Sequence, residues 1–215
     1  MWTSDFPRRN YFSNVISFAV EMYSTSGISL RELSKKMFRF FGIRVSHEGI
    51  RKWVIAGGKL DFVDEGIYHA ATWHVDEPYI KIKGHGFWLW VVYCPEIKNA
   101  LAWRISKKRL FKEAKEVLKK ALEKTGGIKP EKIVTDGLHQ YDAAIRKVIG
   151  WHWRIQKECH IKDSGIGKNA VLERVNREIK RRVKWFSTFQ ALEGARAFFA
   201  MFFYHLNKRM STQLS

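Results

Sequence analysis

The chain has 215 residues, with 39 Lys and Arg against 21 Asp and Glu, and a formal net charge of +18. That excess favours a polyanionic partner, because cations placed on phosphates release counterions; an anionic membrane surface is the rival reading. Two cysteines, Cys94 and Cys159, exclude a disulfide framework and a CxxC zinc pair, and the apolar segment from Ala195 to Leu206, twelve residues that include Arg196 and His205, is too short to span a bilayer.

Residues 1 to about 56 read as three helices. Pro7 suits a first helical turn, and Val15, Ile16, Ala19 and Met22 recur at helical spacing. Ser29-Leu30-Arg31-Glu32 is a capping box that opens a second helix carrying Leu33, Met37 and Phe40. Gly42 ends it, and Ser46 is a good N-cap for a third, with Ile50, Trp53 and Val54 on its apolar side. Two helices joined by a tight glycine-containing turn fit a helix-turn-helix, whose second member would offer Arg51 and Lys52, with His47 and Glu48, to DNA. A plain three-helix subdomain is the alternative.

Residues 58–70 read as a linker, and from Thr72 the periodicity changes to that of strands. Strands are expected over 72–83, 87–93 and 100–105, then a helix over 107–124 closed by Gly126-Gly127. A short buried strand at 132–135, a helix at 139–148 and a fifth strand at 151–159 follow. Residues 162–168 read as a mobile loop, and 169–186 and 189–207 as helices. Three meandering strands followed by β-α units predict a mixed sheet covered by helices on both faces. That is the element order of the ribonuclease H-like fold. The expected organisation is therefore a helix-turn-helix domain at 1–57, a linker at 58–70 and an α/β domain at 71–215.

Three acids stand out in so basic a chain. Asp76 lies in an alternating apolar stretch, Asp136 ends the short strand Lys132–Thr135, and Glu173 stands on a basic helix. Open α/β sheets place sites at strand carboxyl ends, where Asp136-Gly137 falls. On the helix, Leu172, Val175, Ile179, Val183 and Phe186 form the core stripe. Glu173 is about 100° round from it, and Lys180, seven residues on, is in line with Glu173. Oxygen ligands of this kind suit Mg²⁺ at a phosphodiester. Each acid also has a plain reading. Asp76 suits an exposed edge strand with Glu77 pointing to the other face, Asp136-Gly137 suits a turn, and Glu173 suits an i,i+4 partner of Arg177. The run from 168 to 184 carries seven basic residues, among them Arg177, Lys180 and Arg181, which favours phosphate contact over a solvated face.

Val75-Asp76-Glu77-Pro78-Tyr79-Ile80-Lys81-Ile82-Lys83-Gly84 resembles the first-acid motif of insertion-sequence transposases. Thr135-Asp136-Gly137-Leu138 with Tyr141 resembles the second, and Asn169 to Arg182 the third, with its trailing basic residue at Lys180. The acids are 60 and 37 residues apart, and the resemblance is to the insertion sequence 6 family, also called the 26 or 240 group. It implies a DDE triad of Asp76, Asp136 and Glu173 that holds two Mg²⁺ or Mn²⁺ ions and cuts and joins DNA. It also implies terminal inverted repeats and target DNA as partners, replicative transposition, and a homodimer or higher multimer. The expected setting is cytoplasmic, at the nucleoid and away from membranes, which agrees with reduced thiols and a start without a signal-peptide pattern. The segment Phe203 to Arg209 follows the family's tail only loosely. A truncated or inactive transposase that binds DNA as a repressor is therefore the alternative.

Overall fold

The computed structural model describes residues 11–59, 70–162, 170–185 and 189–211. Most of the expected linker, the start of the first helix near Pro7 and nearly all of the expected loop at 162–168 fall outside that set. The chain forms two compact units. One contains residues 1–63, 81–84 and 179–208; the other contains 64–80, 85–178 and 209–215.

In the first unit, α2 (Leu30–Phe41) and α3 (His47–Gly57) stand where the capping signals put them, and α1 (Ser13–Ser26) follows Phe12 with no side-chain cap. Ser29 accepts from the Glu32 backbone N–H at 3.1 Å and Ser46 from that of Gly49 at 3.0 Å, which satisfies donors that a helix start leaves open. Gly42 closes α2 at φ +67°, in the left-handed region that glycine enters without penalty. Ala19, Leu33, Met37, Val45 and Ile50 make one small core. Ile16, Val20 and Val54 make another with Ala197 and Met201 of α8 (Leu192–Ser211).

The sheet has six strands, β1 (Thr72–Asp76), β2 (Tyr79–Ile82), β3 (His85–Cys94), β4 (Asn99–Ser106), β5 (Lys132–Thr135) and β6 (His160–Lys162), and all of them but the second half of β2 belong to the second unit. β3 runs antiparallel to both β1 and β4, while β1, β5 and β6 are mutually parallel neighbours. β2 and β4 both neighbour β3, and the path β3-β1-β5-β6, with an antiparallel meander on one side and parallel strands on the other, is ribonuclease H-like. Alternation sends Trp73 and Val75 of β1 into the core with Trp90, Val92 and Ile133. There α4 (Phe111–Lys124) and α5 (His139–Ile149) lay Ala114, Val117, Leu118, Ala121, Tyr141 and Ile145 over them. The two buried indoles are satisfied, Trp73 by Ala70 O at 3.1 Å and Trp90 by Ser106 Oγ at 2.8 Å. Truncating either to Ala would cost about 3–5 kcal/mol.

Three expectations change. The stretch 72–83 is two strands, broken at Glu77-Pro78, because proline has no N–H for the ladder. The helix after β4 starts at Phe111, which leaves Arg109 in the preceding loop. Residues Trp153–Cys159 are a seven-residue helix, α6, and the strand expected there is the short β6 after it, the third of the parallel strands. Helix α7 (Ala170–Trp185) forms as its periodicity predicts, and no helix among the described residues is long and apolar enough to cross a membrane.

Candidate active site

Asp76 is the last residue of β1 and Asp136 follows the last residue of β5, its parallel neighbour. Two adjacent parallel strands thus deliver two carboxylates to one sheet edge. Glu77 joins them: among the described residues, oxygens of Asp76, Glu77 and Asp136 lie within 4.8 Å of one another. Its participation was not expected, since a regular strand sends neighbours to opposite faces. The break at Pro78 ends that alternation.

Each acid has its own support. Asp76 Oδ1 accepts from the Glu77 N–H at 2.8 Å, and its Oδ2 accepts from Asn176 Nδ2 on α7. Asp136 Oδ1 accepts from the Leu138 N–H at 3.0 Å. Glu77 is 2% exposed, and its two oxygens take separate partners: the Tyr141 hydroxyl on one and the Arg109 guanidinium on the other. Arg109 Nη2 also reaches Asp136 Oδ2 at 3.0 Å, and its guanidinium rests 4.8 Å from the centre of the Trp88 ring. Arg109 therefore bridges a buried acid to a half-exposed one.

The electrostatics follow from that geometry. Burial pushes the Glu77 carboxyl up; Tyr141 and Arg109 pull it down, and the charge of Asp136 pushes it up again, leaving it above its ordinary value. Burial, then Glu77, holds the Tyr141 phenol well above its usual range, so it stays a neutral donor.

A second network braces Asp136 from the β6 side. The Thr135 hydroxyl accepts from the Gly137 N–H at 3.2 Å and lies 2.9 Å from His160 Nε2. His160 Nδ1 is 3.1 Å from Asp142 Oδ1, and Lys162 Nζ donates to Asp142 Oδ2 at 2.6 Å. A hydroxyl proton on the Nε2 side puts the imidazole proton on Nδ1, facing Asp142. Burial lowers the His160 pKa, and the pull of Asp142 does not restore it. Burial works to raise Asp142, but Lys162 and His160 outweigh it and hold the carboxyl low. Gly137, at φ +88°, needs the left-handed region to turn the chain between Asp136 and α5.

A family model described as a DDE domain, of the IS240 transposase group, matches residues 70–209. The chain belongs to this DDE transposase family. Within it, the transposase of insertion sequence element IS257 in transposon Tn4003, from Staphylococcus aureus, is 28% identical over 211 residues, 95% of this chain and 90% of that protein. The transposase of insertion sequence-like element IS431mec, from Staphylococcus aureus strain Mu50, gives the same identity and coverage. Among solved structures, a chain of a simian T-cell lymphotropic virus intasome in complex with PP2A regulatory subunit B56 gamma aligns with TM-score 0.44 and 13% identity, covering 84% of this chain and 66% of that one.

The other expected DDE residue, Glu173, stands exposed in the first turn of α7 and is not among the carboxylates that converge. Asn176 lies three residues on, hence on the same helix face, and it is Asn176 that touches Asp76. Arg177, Lys180 and Arg181 are exposed, in keeping with the basic run. Arg182, from the same run, is instead 4% exposed; it donates to Ser24 O at 3.2 Å and lies 5.3 Å from the centre of the Phe202 ring. On α3, Lys52 is exposed, and Arg51 is paired with Glu48 at 2.6 Å. Sequence reasoning missed Asn176, Glu77, Arg109 and the role of Tyr141. Asn176 had a faint signal, a polar residue one helical turn from Glu173.

Proposed function

We propose that this protein cleaves DNA at the ends of an insertion sequence and joins the freed 3′ ends to target DNA, with Asp76, Asp136 and Glu173 as its DDE triad. The observation that carries the reading is the meeting of Asp76 and Asp136 on one sheet edge, with α7 brought to Asp76 through Asn176. The converging donors are all carboxylate oxygens, without His or Cys, and this fits a hard divalent cation such as Mg²⁺ or Mn²⁺. Bound there, a pair of such ions would supply Lewis-acid polarisation of the scissile phosphate and its attacking oxygen. Asp76 and Asp136 would hold them, with Glu173, which lies outside the converging set, as the third ligand in this reading.

The chain's own contribution is positioning. Asn176 fixes one oxygen of Asp76, and the Leu138 N–H fixes one of Asp136. Glu77 and Tyr141 hold Arg109 against Asp136, so the site keeps one fixed cation beside its acids. In the first step water attacks the phosphodiester and the P–O3′ bond breaks, leaving a 3′-hydroxyl on the element end. In the second that hydroxyl attacks a target phosphodiester and displaces another 3′ oxygen. Exposed Arg177, Lys180 and Arg181 of α7 are the phosphate contacts in this reading. The helix-turn-helix of residues 1–57 reads the terminal inverted repeats through α3, with Arg51 and Lys52 facing DNA. A homodimer or larger multimer bridges two ends.

The test is strand transfer from labelled duplexes carrying the element's own ends, with Mg²⁺ or Mn²⁺. Asp76→Ala, Asp136→Ala and Glu173→Ala each lose cleavage and joining while end binding persists. Full activity in all three variants, or a wild-type protein that binds ends and never cuts them with either metal, refutes the proposal.

A further inference from the structure

On the far side of Asp136 from Asp76, α5, α6 and β6 enclose a cavity of about 440 Å³, lined by Asp142, Arg146, Trp153, Gln156, Lys157 and Lys162, with the buried His160 behind them. We propose that this cavity binds one unstacked nucleotide of a DNA strand, its base laid on the Trp153 indole and its phosphate taken by the surrounding cations. The inference rests on the DNA-processing reading above and adds a site to it.

The size suits one nucleotide, since small-ligand pockets run from roughly 300 to 1,000 Å³. The lining has the two components that single-strand sites combine, an aromatic platform and a basic rim. Trp153 is 58% exposed, although it sits on a helix whose buried residue is Gln156. Arg154 lies 5.2 Å from the centre of its ring, so the platform is cationic at its border. Three cations, Arg146, Lys157 and Lys162, face one carboxylate, Asp142, and that carboxylate is already engaged by Lys162 and His160. The balance left over favours a phosphate.

Gln156 adds an unmet demand. Its Nε2 donates to the carbonyl and carboxylate of Asp142, at 3.0 and 3.2 Å, which fixes which end of the amide is nitrogen. Its Oε1 is buried with no hydrogen-bond partner among the described residues. The exocyclic amine of adenine, cytosine or guanine is a donor of the kind that oxygen lacks, and the amide must turn toward the cavity for the two to meet, because the oxygen is closed to solvent.

The cavity is also in the right place. Lys162 backs onto Gly137, where a Cβ would stand 3.7 Å from the lysine's own, and His160 is tied to Thr135. A strand whose phosphate lies at Asp136 therefore runs next to residues that line the cavity. A base still paired and stacked hides both faces, so the ligand is a nucleotide drawn out of the duplex or already single-stranded.

The test uses the full chain and a fluorescein-labelled single-stranded oligonucleotide carrying 5-iododeoxyuridine. Long-wavelength irradiation followed by peptide mapping is expected to place the crosslink on Trp153, out of nine tryptophans. In fluorescence anisotropy Trp153→Ala binds roughly ten-fold more weakly, and Trp153→Phe, which keeps a stacking face, recovers most of that loss. Crosslinks that map away from α6, together with unchanged binding by Trp153→Ala, overturn the proposal. If Trp153→Ala fails to fold, the map on the wild-type protein decides alone. A protein that performs strand transfer without any Trp153 effect loses the pocket and keeps the proposed function. One that crosslinks through Trp153 and never transfers strands loses that function and keeps a nucleotide site.

Discussion

Arg109→Met, measured by urea unfolding with EDTA present, tests whether the arginine is what makes a buried Glu77 tolerable. The Glu77 side chain is fully buried and that of Arg109 is 34% exposed. Removing one partner of a buried pair costs about 3–5 kcal/mol, and water reaching the open side of Arg109 screens part of that, so the expected loss is about 2–3 kcal/mol. Glu77 already sits above its ordinary 4.5, through burial first, and loses a stabilising partner in the variant. An acid with a raised folded pKa supports the fold fully below its unfolded value and loses that support as pH rises through its folded value. The deficit of Arg109→Met therefore grows as pH rises above the ordinary carboxylate range. Adding Glu77→Gln removes the stranded charge, keeps an acceptor for Tyr141, and restores about 1–2 kcal/mol. A single variant within about 0.5 kcal/mol of wild type at neutral pH, or a double variant that restores nothing, refutes the reasoning.

Mn²⁺ at a hundred times its Kd stabilises the protein by about 2.7 kcal/mol in thermal unfolding, and Asp76→Asn or Asp136→Asn abolishes that shift. His160 has its pKa lowered by burial, so its support is present above the ordinary 6.5 and is lost as pH falls through the folded value; His160→Gln flattens that acid limb of the stability profile. At Gly58 a Cβ would stand 2.4 Å from the Ala197 backbone, so Gly58→Ala forces α8 to shift and costs about 1–3 kcal/mol by calorimetry.

The elements that were legible in the sequence are those whose signals are local. Capping serines announced α2 and α3, alternation announced a strand over 72–83 that holds Asp76, and a short apolar run announced β5 with Asp136 at its end. Contacts that join distant positions were not legible. Arg109 meets Glu77 across 32 residues and Tyr141 meets it across 64, and nothing at either position marks the partner. Helix α6 was read as a strand because its aromatic, basic and β-branched residues alternate over a short stretch. With Trp153, Arg154 and Ile155 all exposed, it has no apolar face to give a helical period. Glu173 was placed on the right helix, but its phase alone could not bring it to the other two acids. Arg182 shows the reverse failure, since charge pointed to phosphate contact and an aromatic contact with α8 holds the side chain inside.

The core that Ala197 and Met201 share with Ile16, Val20 and Val54 joins positions nearly the whole chain apart. During synthesis the first three helices leave the ribosome long before α8 exists, with an apolar face waiting for it. Contacts of such sequence separation are slow to close. The nascent chain must therefore carry an open, aggregation-prone surface until α8 arrives. A fragment ending at residue 57 inherits that surface permanently, so expression of the isolated helices depends on supplying α8 in trans or replacing the apolar residues it covers.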